Sequence, residues 1–228
     1  MILYEKKEKE NGKDYAYRVL KDNIMTLNLK PGELLSEADL SEKLGISRTP
    51  IREVLIRLKN EHLIEVKPQT GTYISLIDAN LIEEAMFMRY TLEKEVLKTV
   101  SNNINDNLLI ELEKNLFAQK LIANRDDSAI EFHKLDKKFH ELLFEGSNKK
   151  NIWNSILNIS THYNRMRLLF EMQANKEEII NQHEEYLNII KNKSLDDIDK
   201  IVTYHIKGRA KEWLNYTEEH KLFQYFKK

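Results

Sequence analysis

The sequence predicts a mainly α-helical fold in two parts: a small amino-terminal unit of three helices and a β-hairpin, then an all-α antiparallel helical bundle. Three observations predict it. Apolar residues recur at helical spacing through the first sixty residues but are cut into short runs by Pro31-Gly32 and Gly45. Two short β-branched and aromatic stretches, 63–66 and 72–75, flank the turn-forming Pro68 and Gly71. Past Ile77 proline disappears, and only Gly146 and Gly208 interrupt the helical periodicity. Residues 1–76 and 77–228 are therefore expected as separate domains, joined by a linker over 75–80.

The elements follow in order. Tyr15, Val19, Leu20, Ile24 and Leu27 form the first apolar stripe. Ser36, with Asp39 three residues on, is a capping-box-like start for a second helix, which runs through Leu40 to Leu44 and ends at Gly45, a residue suited to the left-handed conformation. Ser47 caps a third helix. Pro50 is tolerated in its first turn because no intrahelical amide bond is lost there. Ile51, Val54, Leu55 and Leu58 are its buried stripe. With the strands at 63–66 and 72–75, the unit reads as a winged helix-turn-helix. The second part reads as helices near 79–101, 106–124, 127–146, 149–173, 176–192 and 195–217, the last opened by a capping-box-like Ser194 to Asp197.

Composition narrows the function classes. No apolar run approaches the roughly 20 residues that span a bilayer, so no membrane association is expected. The start of the chain has no apolar signal-peptide core and reads as a solvated leader. The absence of cysteine removes disulfides, thiolate zinc sites and cysteine nucleophiles, and fits a cytoplasmic protein. The net charge of -1 hides a local pattern: between Lys43 and Lys59 five basic residues (Lys43, Arg48, Arg52, Arg57, Lys59) face one acid, Glu53. Affinity for nucleic acid depends on where cations meet phosphates, so this clustering outweighs the total.

In a helix-turn-helix the second helix enters the major groove, and here its amino-terminal end carries Ser47, Arg48, Thr49 and Arg52. Arg48 and Arg52, four apart, share one face. Arginine can bond bidentately to guanine, and hydroxyls and helix-terminal amides suit phosphates. Gly71 at the wing tip would let backbone approach DNA closely. The run LSEKLGISRTPIREVL over 40–55, with Leu29 to Gly32 before it and the wing glycine after it, resembles the signature of the GntR family of bacterial transcription regulators. That resemblance implies that Arg48 and Arg52 contact bases or phosphates, beside Ser47, Thr49 and Gly71. It departs from the family at Ala38 and Thr70, where a basic residue is common.

Three of seven histidines fall on the apolar stripes of three different helices: His140 beside Leu135, Phe139 and Leu143; His183 with Ile179, Ile180, Leu187 and Ile190; and His205 with Ile198, Ile201, Val202 and Trp213. Asp136 lies one turn before His140, so one helix can present both to one ion. A single such histidine reads as a hydrogen-bonded core residue. Four polar groups buried together would be satisfied by a shared divalent metal, and an aspartate with three imidazoles suits zinc, nickel, manganese or iron(II). The spacing of Asp136, His140, His183 and His205 resembles the FCD ligand-binding domain, the all-helical sensor of the FadR subfamily of GntR regulators. Metal-binding sensors of that kind commonly recognise small carboxylates, which implies nearby cations. Arg89 stands where such domains often have an arginine, and Arg165 and Arg167 are further candidates against a surface salt-bridge reading. Of the other histidines, His133 and His162 could line the pocket, His62 falls in the turn after the third helix, and His220 in the tail.

The resemblance implies a homodimeric repressor that places two reading helices on operator half-sites and loses affinity when a small carboxylate binds its metal centre. A metal-responsive regulator is the alternative within the class. A metal-dependent hydrolase is the alternative outside it, though no general base or H-E-x-x-H motif accompanies the set.

Overall fold

The Asn11 side chain opens the first helix by accepting the Asp14 amide at 2.8 Å, and α1 (Gly12–Met25) then buries Ala16, Val19, Leu20 and Ile24. The computed structural model describes residues 1–173, 175–208, 210 and 221–227. Ser36 caps α2 (Glu37–Leu44) as expected, its hydroxyl accepting from the Asp39 amide. Gly45 ends that helix at φ 63°, with its own amide on the Glu42 carbonyl and that of Ile46 on Ser41. Two residues later α3 (Arg48–Asn60) begins. Ile51, Val54, Leu55 and Leu58 face inward, closing one core with Leu20, Ile24, Leu40 and Leu44.

The wing differs from expectation by one strand. Besides β2 (Ile64–Lys67) and β3 (Gly71–Ile74), a two-residue strand β1 (Leu34–Leu35) pairs antiparallel with β3, giving the sheet order β1-β3-β2. A strand that short has no period to read. Its pairing comes from β3, which offers its second edge to whatever follows Pro31-Gly32.

The second part begins with α4 (Ala79–Asn103), α5 (Asp106–Ile122) and α6 (Ala129–Gly146). The single helix expected over 149–173 is two, α7 (Lys150–Ile159) and α8 (Thr161–Glu171), divided at Ser160, whose φ -87° and ψ 19° leave the helical well. No glycine or proline marks the break, so helical periodicity reads through it. The two halves differ in burial. In α7 Trp153 and Ile156 are buried, whereas every residue of α8 except half-buried Asn164 is buried, including two arginines. After α9 (Glu177–Asn192) the helix expected over 195–217 is also broken. A 3-10 turn (Leu195–Asp197) leads into α10 (Ile198–Thr203) and a π-helical turn (Tyr204–Gly208), and Ser194 makes no side-chain cap. Trp213 and His220 lie outside the described residues. No helix among the described residues is long and apolar enough to cross a membrane.

Two compact units result, and they are not contiguous in sequence. The first takes residues 1–79, 161–165 and the carboxy-terminal 221–227; the second takes 80–160 and the chain from Met166 onward. The sequence expects a cut at residue 76; by contact the first unit runs on to Ala79, and segment 161–165 joins it through bonds of its own. His162 donates from Nε2 to the His62 carbonyl at 2.8 Å and accepts the Asp78 amide at Nδ1, and Arg165 donates to the Ser75 carbonyl at 2.9 Å.

Candidate metal centre and DNA-reading helix

Helix α3 is exposed at the residues where the sequence expects DNA contacts. Ser47, Arg48 and Thr49 are exposed at the start of α3, and Arg52 one turn on has 64% of its side chain open to solvent. Ser47 holds the N-cap position but its hydroxyl makes no cap bond. The basic cluster is less bare than its local count suggested, because acids arrive from other elements. Arg52 Nε donates to Glu37 Oε2 on α2 at 2.7 Å, and Arg57 is held by Glu61 and lies over the Tyr17 ring. Gly71 has a conformational reason to be glycine: its φ is 134°, and a Cβ there would lie 2.8 Å from Leu34 Cδ1 on β1.

In the second unit Asp136 and His140 on α6, His183 on α9 and His205 on the π-helical turn come together, fully or almost fully buried, and one ligand atom from each lies within 4.8 Å of the others. The π turn is the element that aims His205 inward, a common use of that geometry. The ring orientations are set by outer groups. His183 Nδ1 lies 2.8 Å from Gln119 Oε1, and Gln119 is itself fixed by donating its amide to Asn115 Oδ1. His205 Nδ1 lies 2.7 Å from Gln182 Oε1. His140 Nδ1 sits 3.0 Å from Glu93 Oε1, close but off the N–H direction, and Glu93 also accepts from the Tyr186 hydroxyl and Arg89 Nε.

An amide oxygen accepts, so His183 and His205 carry the ring proton on Nδ1 and keep a bare lone pair on Nε2, and the Glu93 carboxylate beside His140 Nδ1 favours the same tautomer there. Those lone pairs converge. His140 Nε2 is 3.3 Å from His183 Nε2 and 3.0 Å from His205 Nε2, and Asp136 Oδ1 is 3.4 Å from His183 Nε2. With no proton between them these contacts repel. A cation bonded at ~2.1 Å to adjacent ligands would need separations of roughly 2.9 to 3.4 Å. The residues therefore fit a divalent transition metal, and the outer oxygens are the usual partners of metal-bound imidazoles.

Burial pushes all three histidines down, His183 to about 3, so they are neutral and competent as ligands at neutral pH. For Asp136 burial acts upward, but the Arg167 guanidinium outweighs it and holds the carboxylate ionised. Arg167 reaches both its oxygens, NH1 to Oδ2 at 2.9 Å and NH2 to Oδ1 at 2.7 Å, and also pairs with Glu171.

Of the expected effector arginines, Arg89 and Arg167 are buried around this centre and Arg165 is not: it belongs to the first unit. Two residues apart on a helix, the side chains of Arg165 and Arg167 leave on different faces. His133 pairs with Glu171 at 2.8 Å and His162 with the His62 turn, so neither joins the ligand group. Sequence reasoning missed Glu93, Gln119 and Gln182. The signal was available, since each sits at an inward position of its helix where a polar side chain needs a partner.

Comparison with known proteins agrees in both units. Residues 13–74 match the family described as bacterial regulatory proteins, gntR family, and residues 84–208 match the FCD domain. The chain is 28% identical over 192 residues to the HTH-type transcriptional repressor RspR of Escherichia coli K12, covering 84% of each chain. It is 29% identical over 206 residues to the gluconate operon transcriptional repressor of Bacillus licheniformis, covering 86% of this chain and 84% of the relative. In fold it is similar to E. coli McbR/YncC, with a TM-score of 0.71 at 21% identity over 90% of this chain and 98% of the other. Family and relatives are transcription regulators, not enzymes. The chain belongs to the GntR family: a DNA-binding transcriptional regulator with a winged helix-turn-helix and an FCD domain.

Proposed function

We propose that this regulator is a homodimeric cytoplasmic repressor whose second unit holds a divalent transition metal through Asp136, His140, His183 and His205 and senses a small carboxylate there. The converging unprotonated Nε2 atoms are the observation that carries this reading. Bound there, the metal would supply Lewis-acid attraction for ligand oxygens. The chain's own residues do the rest: Gln119, Gln182 and Glu93 orient the rings, burial excludes water, and the Arg89 and Arg167 guanidiniums, paired here with Glu93, Asp136 and Glu171, are the cations that an arriving carboxylate would reach by exchange. The operon named for one relative concerns gluconate, a hydroxy acid of the chelating kind this centre suits. Operator contact is assigned to Ser47, Arg48, Thr49, Arg52 and the Gly71 wing, and effector binding lowers operator affinity by its preference for one state over the other.

One observation favours a second reading. Arg167 bonds Asp136 Oδ2 and stands 2.7 Å from Oδ1, so an ion at Oδ1 changes the charge that the guanidinium faces, and on that reading metal itself is the signal. Titration of duplex selected from a random library separates the two. Metal-stripped protein is titrated with zinc, nickel, manganese or iron(II), then at saturating metal with hydroxy acids and dicarboxylates. Release by carboxylate only when metal is present supports the first reading, and release by metal alone supports the second. Absence of metal binding to the stripped protein sinks both.

A further inference from the structure

Helix α5 is apolar on two opposite faces. Leu108, Leu112, Leu116 and Ile122 turn inward, yet Ile110, Phe117 and Leu121 on the other side are 46%, 68% and 58% exposed. With exposed Lys114 these positions follow one another at spacings of four, three and four, the period of a coiled-coil seam. A soluble chain rarely leaves such a stripe to water without a use for it.

We propose that this outer face of α5 is where a second copy of the chain docks, the two helices running antiparallel about a two-fold axis between Lys114 and Phe117. The inference rests on the dimeric reading above and names its surface. The stripe is self-complementary in that register. Ile110 meets Leu121 of the second copy at each end, and Lys114 lies against the Phe117 ring of the second copy in the middle, a cation on an aromatic face. Along one edge Glu113 comes opposite Lys120 of the second copy, twice by symmetry, so opposite charges meet. A parallel pairing would instead set Lys114 against Lys114. The contact need not be confined to one helix. A groove of about 450 Å³ runs along the Glu113 and Lys120 edge between α5 and α9, floored by Leu116 and Leu187, and its ion pairs Lys120–Glu184 and Glu113–Lys191 are surface pairs that can exchange partners.

Sedimentation equilibrium of the full chain tests this. The unaltered protein sediments as a dimer, and Phe117→Glu/Leu121→Glu, at exposed positions, sediments as a monomer with unchanged far-ultraviolet dichroism, its dimer dissociation constant raised by roughly 30-fold or more. The register has its own readout, because the chain has no native cysteine. Ile110→Cys/Leu121→Cys forms a disulfide-linked dimer on mild oxidation, and Ile110→Cys alone does not. A dimer unaffected by the two glutamates overturns the α5 surface while leaving a dimeric regulator standing, and a monomeric unaltered chain overturns the dimer itself. Linkage by Ile110→Cys alone overturns the antiparallel register.

Discussion

In the proposed metal centre it is Gln119 that would make His183 a ligand. The amide oxygen holds the ring proton on Nδ1, and Asn115 holds the amide, so a residue two steps from the centre decides where the lone pair points. Gln119→Leu keeps the shape but releases the tautomer, and metal affinity measured against a competing chelator should fall about 10- to 100-fold with all four ligands present. Unchanged affinity would mean that the ring is set by packing alone, for instance by Phe139 stacked on it at 4.3 Å. The same burial makes the metal-free sensor sensitive to acid. In the unfolded chain His183 takes a proton near its ordinary 6.5, whereas in the folded chain burial defers this to about 3; His140 and His205 shift in the same direction. A depressed folded value means stability that is complete above about pH 6.5 and lost as pH falls. Each histidine kept neutral therefore removes up to about 1.4 kcal/mol per pH unit below that point. Urea unfolding of stripped protein at pH 7.5 and 5.5 measures the loss, and a flat profile would show that the rings are charged in the fold. That Asp136, His140, His183 and His205 meet was legible in sequence because an i, i+4 pair and two histidines on apolar stripes are local patterns. Glu93, Gln119 and Gln182 gave a weaker signal: an inward helical position says that each needs a partner, and only three-dimensional packing shows which one.

At the level of elements, α5 and α6 are locked by a close approach that the sequence only hinted at. Gly146 was read as an interruption of the bundle, but it closes α6 against α5, where a Cβ would fall 2.1 Å from Leu108 Cδ2. Gly146→Ala should destabilise the protein by about 1–3 kcal/mol in chemical denaturation, and Leu108→Ala in the same chain should restore part of that loss because the two changes share one space. Additive losses would place the cost elsewhere. The elements that sequence read well were those ended by their own chemistry: Ser36 as a cap, Gly45 in the left-handed well. The break at Ser160 carries no such residue, and the π-helical turn at Tyr204–Gly208 carries only Gly208, which in the sequence read as an interruption and not as a change of helix type. One lets α8 be buried almost all round with Arg167 aimed at Asp136, and the other turns His205 inward.

For the whole molecule the proposed DNA contacts and the proposed ion ligands reside in different units, so they should fail independently. Arg48→Ala and Arg52→Ala remove exposed cations whose surroundings are solvent and one surface acid, so neither threatens the fold. Each should weaken binding to a selected duplex by about 1–3 kcal/mol where the guanidinium reads a base, or lower the slope of log affinity against log salt by about one where it meets a phosphate. Metal affinity should not change in either variant. His183→Ala should behave oppositely, because it removes a ligand from a fully buried centre and leaves α3 untouched. Metal retention on native mass spectrometry is lost, operator affinity in the absence of effector persists, and the response to carboxylate disappears. Full operator affinity in both arginine variants would remove α3 as the reading helix. Loss of operator affinity in His183→Ala with its fold intact would mean that the ion is required for DNA binding itself, and the signal would then be the metal.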